Sequence, residues 1–218
     1  LPPDLLASLL ADGDDELVAW TLRNAIDARG RAHAYDELLS GAMRLIGERW
    51  VAGEWGIAEE HLASQTAVRA LDAVRPAATP ELRVAPLAVL TGVAGEHHMI
   101  GLVCLGHLLA EGGWNVANLG PDMPADEVAR FVAEQEADLV AITAALDDRL
   151  PAVEATVQAV RQAARLAGRN VRIVLGGRLG SRPGIAGTLG LDWAGGTLSS
   201  VEVSLAGFRA ELEAERRR

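Results

Sequence analysis

Gly95-Glu96-His97-His98-Met99-Ile100-Gly101 is the stretch on which the reading of this chain turns. An apolar run, Leu87-Ala88-Val89-Leu90, precedes it, and a helical apolar pattern, Leu102-Val103-Leu105-Leu108-Leu109, follows it. A strand, a tight polar turn and a helix open a βαβ unit. Parallel sheets collect ligands beyond the carboxyl ends of their strands, so His98 stands where such a sheet does its chemistry. A neutral imidazole is a common metal ligand, and a nearby carboxylate fixes its tautomer and raises its basicity. Glu96, two residues earlier, is the candidate for that carboxylate. Gly101 leaves room for a bulky group to approach the backbone. Taken alone, His98 reads as a solvated turn histidine.

Working outward, strands and helices alternate from residue 86 to the C-terminus. Strands are expected at Leu87–Thr91, Asn115–Leu119, Asp138–Thr143, Val171–Leu175 and Leu191–Ala194. Helices are expected at Ile100–Glu111, Pro124–Glu136, Leu150–Ala167 and Leu198–Arg217. This alternation predicts a five-stranded, doubly wound parallel sheet of Rossmann-like (flavodoxin-like) form. Upstream the periodicity is helical only. Asp4 is expected to cap a first short helix, and Asp12-Gly13-Asp14-Asp15 to form a turn with a new cap. A second helix runs to Arg29-Gly30, a third from His33 to Trp50, and a fourth from Ile57 to Val74. Short connections imply an antiparallel four-helix bundle. The domain reading is therefore a helical bundle over 1–76, a Pro-containing linker over 77–85, and an α/β domain over 86–218.

Composition narrows the function. The 218 residues carry a formal net charge of −10 and are half hydrophobic. That balance argues against a nucleic-acid surface in this chain. The single cysteine, Cys104, lies in an apolar helical stretch, which permits no internal disulfide and suits a reducing cytoplasm. No apolar run is long enough to span a bilayer. The start at Leu1-Pro2-Pro3 suggests a natural N-terminus that is missing or processed.

Three expected turns share one sheet edge: the His98 turn, the end of the third strand at Thr143, and Gly176-Gly177 after the fourth. A hydroxyl 45 positions after His98 and a Gly-Gly 33 positions further on give a layout that resembles the cobalamin-binding Rossmann-like fold, whose pattern is Asp-x-His-x-x-Gly, a Ser-x-Leu-type segment, and Gly-Gly. The match here is Glu96-x-His98-x-x-Gly101, Thr143-Ala144-Ala145 and Gly176-Gly177, with Glu in place of Asp and Thr in place of Ser. Gly112-Gly113-Trp114-Asn115-Val116-Ala117-Asn118-Leu119-Gly120 resembles the family's second strand and its flanks, and the preceding bundle resembles the cap of many cobalamin carriers. The resemblance implies His98 as the lower axial ligand of cobalt in the base-off, His-on state. It implies Glu96 on the far ring nitrogen, and Gly101, Thr143, Gly176 and Gly177 along the slot for the nucleotide tail. His97 is out of register with Gly101, and His107 lies within a helix.

The bundle carries a second signal, Trp50-x9-Glu60-His61. Trp50 alone reads as core, and acidic residues in a first helical turn are expected from the helix dipole. The spacing nevertheless resembles the cap of light-sensing cobalamin photoreceptors, the CarH-type regulators. That resemblance implies Trp50, Glu60 and His61 around the 5′-deoxyadenosyl group of adenosylcobalamin. In that family a His follows the cap Trp and binds cobalt after photolysis; here the position is Val51. The implied function is a light sensor in which Co–C photolysis drives a conformational or oligomeric change, acting through a homo-oligomer or a downstream effector and not an enzyme. Related photocobilins add a bilin, which here would have to bind noncovalently because no cysteine is placed to tether it. The alternative is a methylcobalamin carrier subunit of a corrinoid methyltransferase system. A colourless flavodoxin-like nucleotide-binding or scaffold protein ranks last.

Overall fold

The computed structural model describes residues 2–77 and 85–216. Most of the expected linker, 78–84, lies outside them. The chain divides into two compact units, Leu1–Ala77 and Ala78–Arg218.

The first unit is helical. α1 (Pro3–Asp12) begins with Pro3 at its first position, where the missing N–H costs nothing. Asp4 is therefore not the cap expected from the sequence: Pro2 occupies that place, and Asp4 sits in the first turn, its carbonyl accepting from Ser8 Oγ. α2 (Asp15–Arg29) is capped by Asp14, whose carboxylate accepts from Leu17 N at 3.0 Å. The expected third helix starts two residues earlier than read and is not uniform. α3 (Arg31–His33), a π-helical stretch over Ala34–Leu39 and α4 (Ser40–Val51) follow without a break. Arg31, at its start, is buried and donates to Tyr35 Oη and to the carbonyl of Val74. α5 (Ile57–Ala73) closes the unit. α1 packs on α4 and α5, and α2 on α5, burying Leu6, Leu10, Leu22, Tyr35, Leu39, Ile46 and Leu71.

The second unit holds five parallel strands, β1 (Leu87–Gly92), β2 (Asn115–Asn118), β3 (Leu139–Thr143), β4 (Arg172–Gly176) and β5 (Trp193–Ala194), in the order β2-β1-β3-β4-β5. The main helices are α6 (Ile100–Glu111), α7 (Ala125–Glu134), α8 (Leu150–Leu166) and α11 (Leu198–Arg216); short helices α9 (Gly177–Gly180) and α10 (Ile185–Leu189) fill the β4–β5 connection. The central strands β1, β3 and β4 are buried on both faces, and side-chain alternation sorts the core. Val89, Val140, Ile142, Ile173 and Leu175 pack with Val128 and Val132 of α7 and Val153, Val157 and Val160 of α8. Ala88, Leu90, Leu139, Ala141 and Val174 pack with Leu102 and Leu109 of α6 and Val201 and Leu205 of α11. The doubly wound parallel sheet expected from the alternation is thus the fold observed, although β5 is two residues shorter than read.

One polar cluster pins the β4–β5 side. Asp192 accepts from Ile173 N at 2.8 Å, from Arg161 at 2.8 Å and from Arg172 at 2.9 Å. Burial works against its charge, but these donors outweigh it and hold the carboxyl below its usual range. Asp192→Asn is expected to cost about 2–3 kcal/mol, short of a fully buried pair because the carboxylate keeps 15% exposure. Chemical denaturation at neutral pH checks it, and an unchanged midpoint would refute it.

Candidate functional site

β1 and β3 are neighbours whose outer partners lie on opposite sides, which makes their carboxyl ends the switch point of the sheet. Register places Gly92, Thr143 and Gly176 in one row across β1, β3 and β4. The loop from Val93 to Met99 rises from this row. Glu96 is its buried charged member, 1% exposed, and His98 is an outer one, with its side chain 67% exposed.

Glu96 organises the loop. Its Oε1 accepts from His98 N at 2.9 Å and lies 2.5 Å from His98 Nδ1. Its Oε2 accepts from Ala145 N, just past β3, at 2.5 Å. One carboxylate therefore spans the switch point, tying the β1 loop to the β3 loop while engaging one ring nitrogen of His98. Burial alone would raise the Glu96 pKa, but the His98 imidazole and the amides of Ala145 and His98 more than offset it, bringing it to about 2 from an ordinary 4.5. With Nδ1 held as a donor to the carboxylate, a neutral ring carries its lone pair on Nε2, the form in which imidazole binds a metal.

The ordering contribution of Glu96 has a definite sign. Because its folded-state pKa is depressed, the stabilisation is complete above about 4.5 and is lost as pH falls from there toward 2. Glu96→Gln removes this acid-sensitive term, on the order of 3 kcal/mol at 1.36 kcal/mol per unit, and breaks the charge-assisted contact to Nδ1. Acid unfolding of wild type and variant checks this; parallel curves between pH 5 and 2 would refute it.

The remaining residues fall into place unevenly. Thr143 ends β3 and is 9% exposed, but the donor that completes Glu96 is the amide of Ala145 rather than a hydroxyl. Gly101 faces open space: a Cβ built there meets nothing within 4 Å. Gly176 would meet only ordinary contact, Ile142 O at 3.8 Å. Gly177 differs, with φ +79° and a Cβ position 2.5 Å from Ala144 O, so the backbone itself demands glycine. His97 is exposed and His107 half-buried. Among the described residues, no group of three or more His, Cys, Asp or Glu converges to hold a bare metal ion. A single oriented imidazole suits a metal that arrives with its other donors already in place.

In the helical unit, Trp50 lies near the end of α4, 49% exposed, and Val51 is 79% exposed. The turn that follows is tied by Glu54 N and Trp55 N to the carbonyl of Arg49, whose guanidinium lies 5.0 Å from the Trp55 ring centroid. The two acidic residues of the next helix have separate tasks. Glu59 accepts from Gly56 N at 2.9 Å and so caps α5. Glu60 accepts from Ser64 Oγ at 2.8 Å and lies 3.5 Å from His61 Nε2. Helix capping thus accounts for Glu59, while Glu60 and His61 are paired with each other.

The fold and its loop define a class: a flavodoxin-like α/β module that offers one carboxylate-oriented imidazole at its switch point, joined in the same chain to a helical unit. The chain belongs to the B12-binding family. A family model described as "B12 binding domain" matches residues 86–194, and a second of the same description matches residues 4–75. The HTH-type transcriptional repressor CarH of Myxococcus xanthus is 30% identical over 155 residues, 69% of this chain and 50% of that protein. The HTH-type transcriptional repressor CarA of the same organism is 37% identical over 87 residues, 40% of this chain and 30% of that protein. The chain thus spans half the length or less of these curated relatives. Among solved structures, the monomethylamine corrinoid protein of Methanosarcina barkeri shares the fold, with a TM-score of 0.73 at 17% identity, over 96% of this chain and 97% of that one. Cobalamin is the ligand class of the family, and the donor set around His98 fits it. No helix among the described residues is long and apolar enough to cross a membrane.

Sequence reasoning paired Glu96 with His98, as the structure does, but did not single out three groups that hold them. The Ala145 amide is a backbone group and carries no sequence signal. Arg149 packs against Gly95, where a Cβ would lie 2.8 Å from its guanidinium. Asp122 binds Gly95 N at 2.7 Å. The positive φ of Asp122 and its place between Pro121 and Met123 mark it only once the loops are seen together.

Proposed function

We propose that this chain is a light sensor that binds adenosylcobalamin base-off, with His98 Nε2 as the lower axial ligand of cobalt. The observation that carries the ligand assignment is the 2.5 Å contact between Glu96 Oε1 and His98 Nδ1, made by a buried carboxylate to an exposed imidazole. Glu96 stores negative charge behind the ring, fixes its tautomer and strengthens Nε2 as a donor. Gly101 and Gly176 keep the approach to the sheet edge open, and Thr143 borders it. Bound adenosylcobalamin supplies a weak, visible-absorbing Co–C bond. Trp50, Glu60 and His61 of the helical unit recognise the adenosyl side, an assignment supported by the resemblance of their spacing to the photoreceptor cap. Loss of the adenosyl group in the light would remove any contacts with these residues, and a ligand biases a conformational equilibrium only through such differential contacts. The output is a change in oligomeric state or in a surface read by an effector, without catalysis by this chain. No residue of the site calls for a bilin in addition.

Absorption spectra of the full chain with adenosylcobalamin, taken in the dark and after green light, test the reading. The expected result is tight dark binding, bleaching under illumination, and a change in elution volume on size exclusion. Light-stable binding combined with dark methyl transfer to or from methylcobalamin would replace it with the carrier reading.

A further inference from the structure

Asp122 lies in the turn between β2 and α7 with φ +57°, a left-handed backbone that costs a side-chain-bearing residue energy. It binds two consecutive units of the His98 loop. Its Oδ1 accepts from Gly95 N at 2.7 Å, and its own N–H donates to Glu96 O at 2.9 Å. Backbone bonds already join the two segments below this point, Gly92 N to Gly120 O and Met123 N to Gly92 O, both 2.9 Å. Asp122 extends that tie beyond the end of the strand, to the residue whose carboxylate sets the His98 ring. On the opposite side the same loop is held by Ala145 N through Glu96 Oε2 and by the guanidinium of Arg149 against Gly95. The loop is therefore gripped from both neighbouring loops, and Asp122 is the grip from the β2 side.

The geometry points to Asp122 as a positioning residue for the His98 imidazole: it sets the height and tilt of the loop so that Glu96 can hold Nδ1 and turn Nε2 outward. This inference rests on the reading of His98 as the cobalt ligand. The left-handed backbone is tolerated by Asp and Asn and is free for Gly. Asp122→Asn keeps both the conformation and a side-chain acceptor, whereas Asp122→Gly keeps the conformation and loses the acceptor. The contrast separates positioning from backbone strain.

The test uses the full chain as wild type, D122G, D122N and H98A. Each is titrated with adenosylcobalamin in the dark, following affinity and the absorbance bands that distinguish imidazole-ligated from base-on cofactor. Amide exchange at Gly95 is measured by NMR without cofactor. D122G is expected to bind about three- to tenfold more weakly, with a larger base-on fraction and faster Gly95 exchange. D122N is expected to stay within about twofold of wild type, since an amide oxygen replaces the carboxylate acceptor. A D122G protein with wild-type affinity and spectrum, while H98A is impaired, would overturn the inference alone. So would a D122N protein as impaired as D122G. An H98A spectrum identical to that of wild type would overturn the cobalt-ligand reading and this inference with it.

Discussion

His98→Ala is expected to abolish imidazole ligation of cobalt. Any cofactor that still binds keeps its own nucleotide base on the metal, and the base-off spectrum disappears. Losing a group that only orients a metal ligand typically costs about 10–100-fold in affinity; losing the ligand itself should cost more. The fold should persist, at reduced stability. The side chain is 67% exposed, and Glu96 keeps the amides of Ala145 and of residue 98 as donors. Glu96, 1% exposed, nevertheless loses the imidazole that does most to offset its burial, so stability should fall by about 1–3 kcal/mol. Added imidazole should restore part of the His-on spectrum. Wild-type affinity and spectrum in the variant would remove the lower-ligand assignment.

The second large effect separates two glycines that look alike in the sequence. Gly177→Ala places a methyl group 2.5 Å from Ala144 O on a backbone with φ +79°. The left-handed conformation and the overlap together should cost about 2–5 kcal/mol, a large share of a domain's total stability. Urea denaturation without cofactor reads this directly. Gly101→Ala should do the reverse. The position is helical and open, so alanine should leave stability unchanged or raise it by about 0.5–1 kcal/mol. Its cost should appear only with cofactor, as weaker binding. Unchanged cobalamin affinity in Gly101→Ala would show that no bulky group passes this face, and an unchanged urea midpoint in Gly177→Ala would show that the β4 turn can yield.

Much of the second unit was legible from local pattern. The limits of α6 were read without error because Gly112-Gly113 stops an apolar helix and the polar His98 turn starts it. The buried strands were legible because a sheet covered on both faces leaves short apolar runs between turn residues. The errors lie where local signals compete or are weak. Asp4 looked like a cap, but Pro3 claims the first helical position and moves the cap to Pro2. The third helix looked uniform, because a π-helical turn over Ala34–Leu39 leaves the apolar stripe nearly intact.

For the site, the sequence by itself determined the chemistry at two positions: an imidazole with a carboxylate two residues earlier, at the end of a strand and the start of a helix. Both residues belong to one short turn, so local geometry suffices to bring them together. Only the tertiary structure decided what holds that pair in place. Ala145, Arg149 and Asp122 come from loops that follow other strands, and they meet Glu96 and Gly95 because parallel pairing sets β1 between β2 and β3. A backbone amide, a guanidinium packed on a glycine and a left-handed aspartate act through position rather than residue type. Position across a sheet is fixed by the register of strands far apart in the chain, which no single stretch of sequence records.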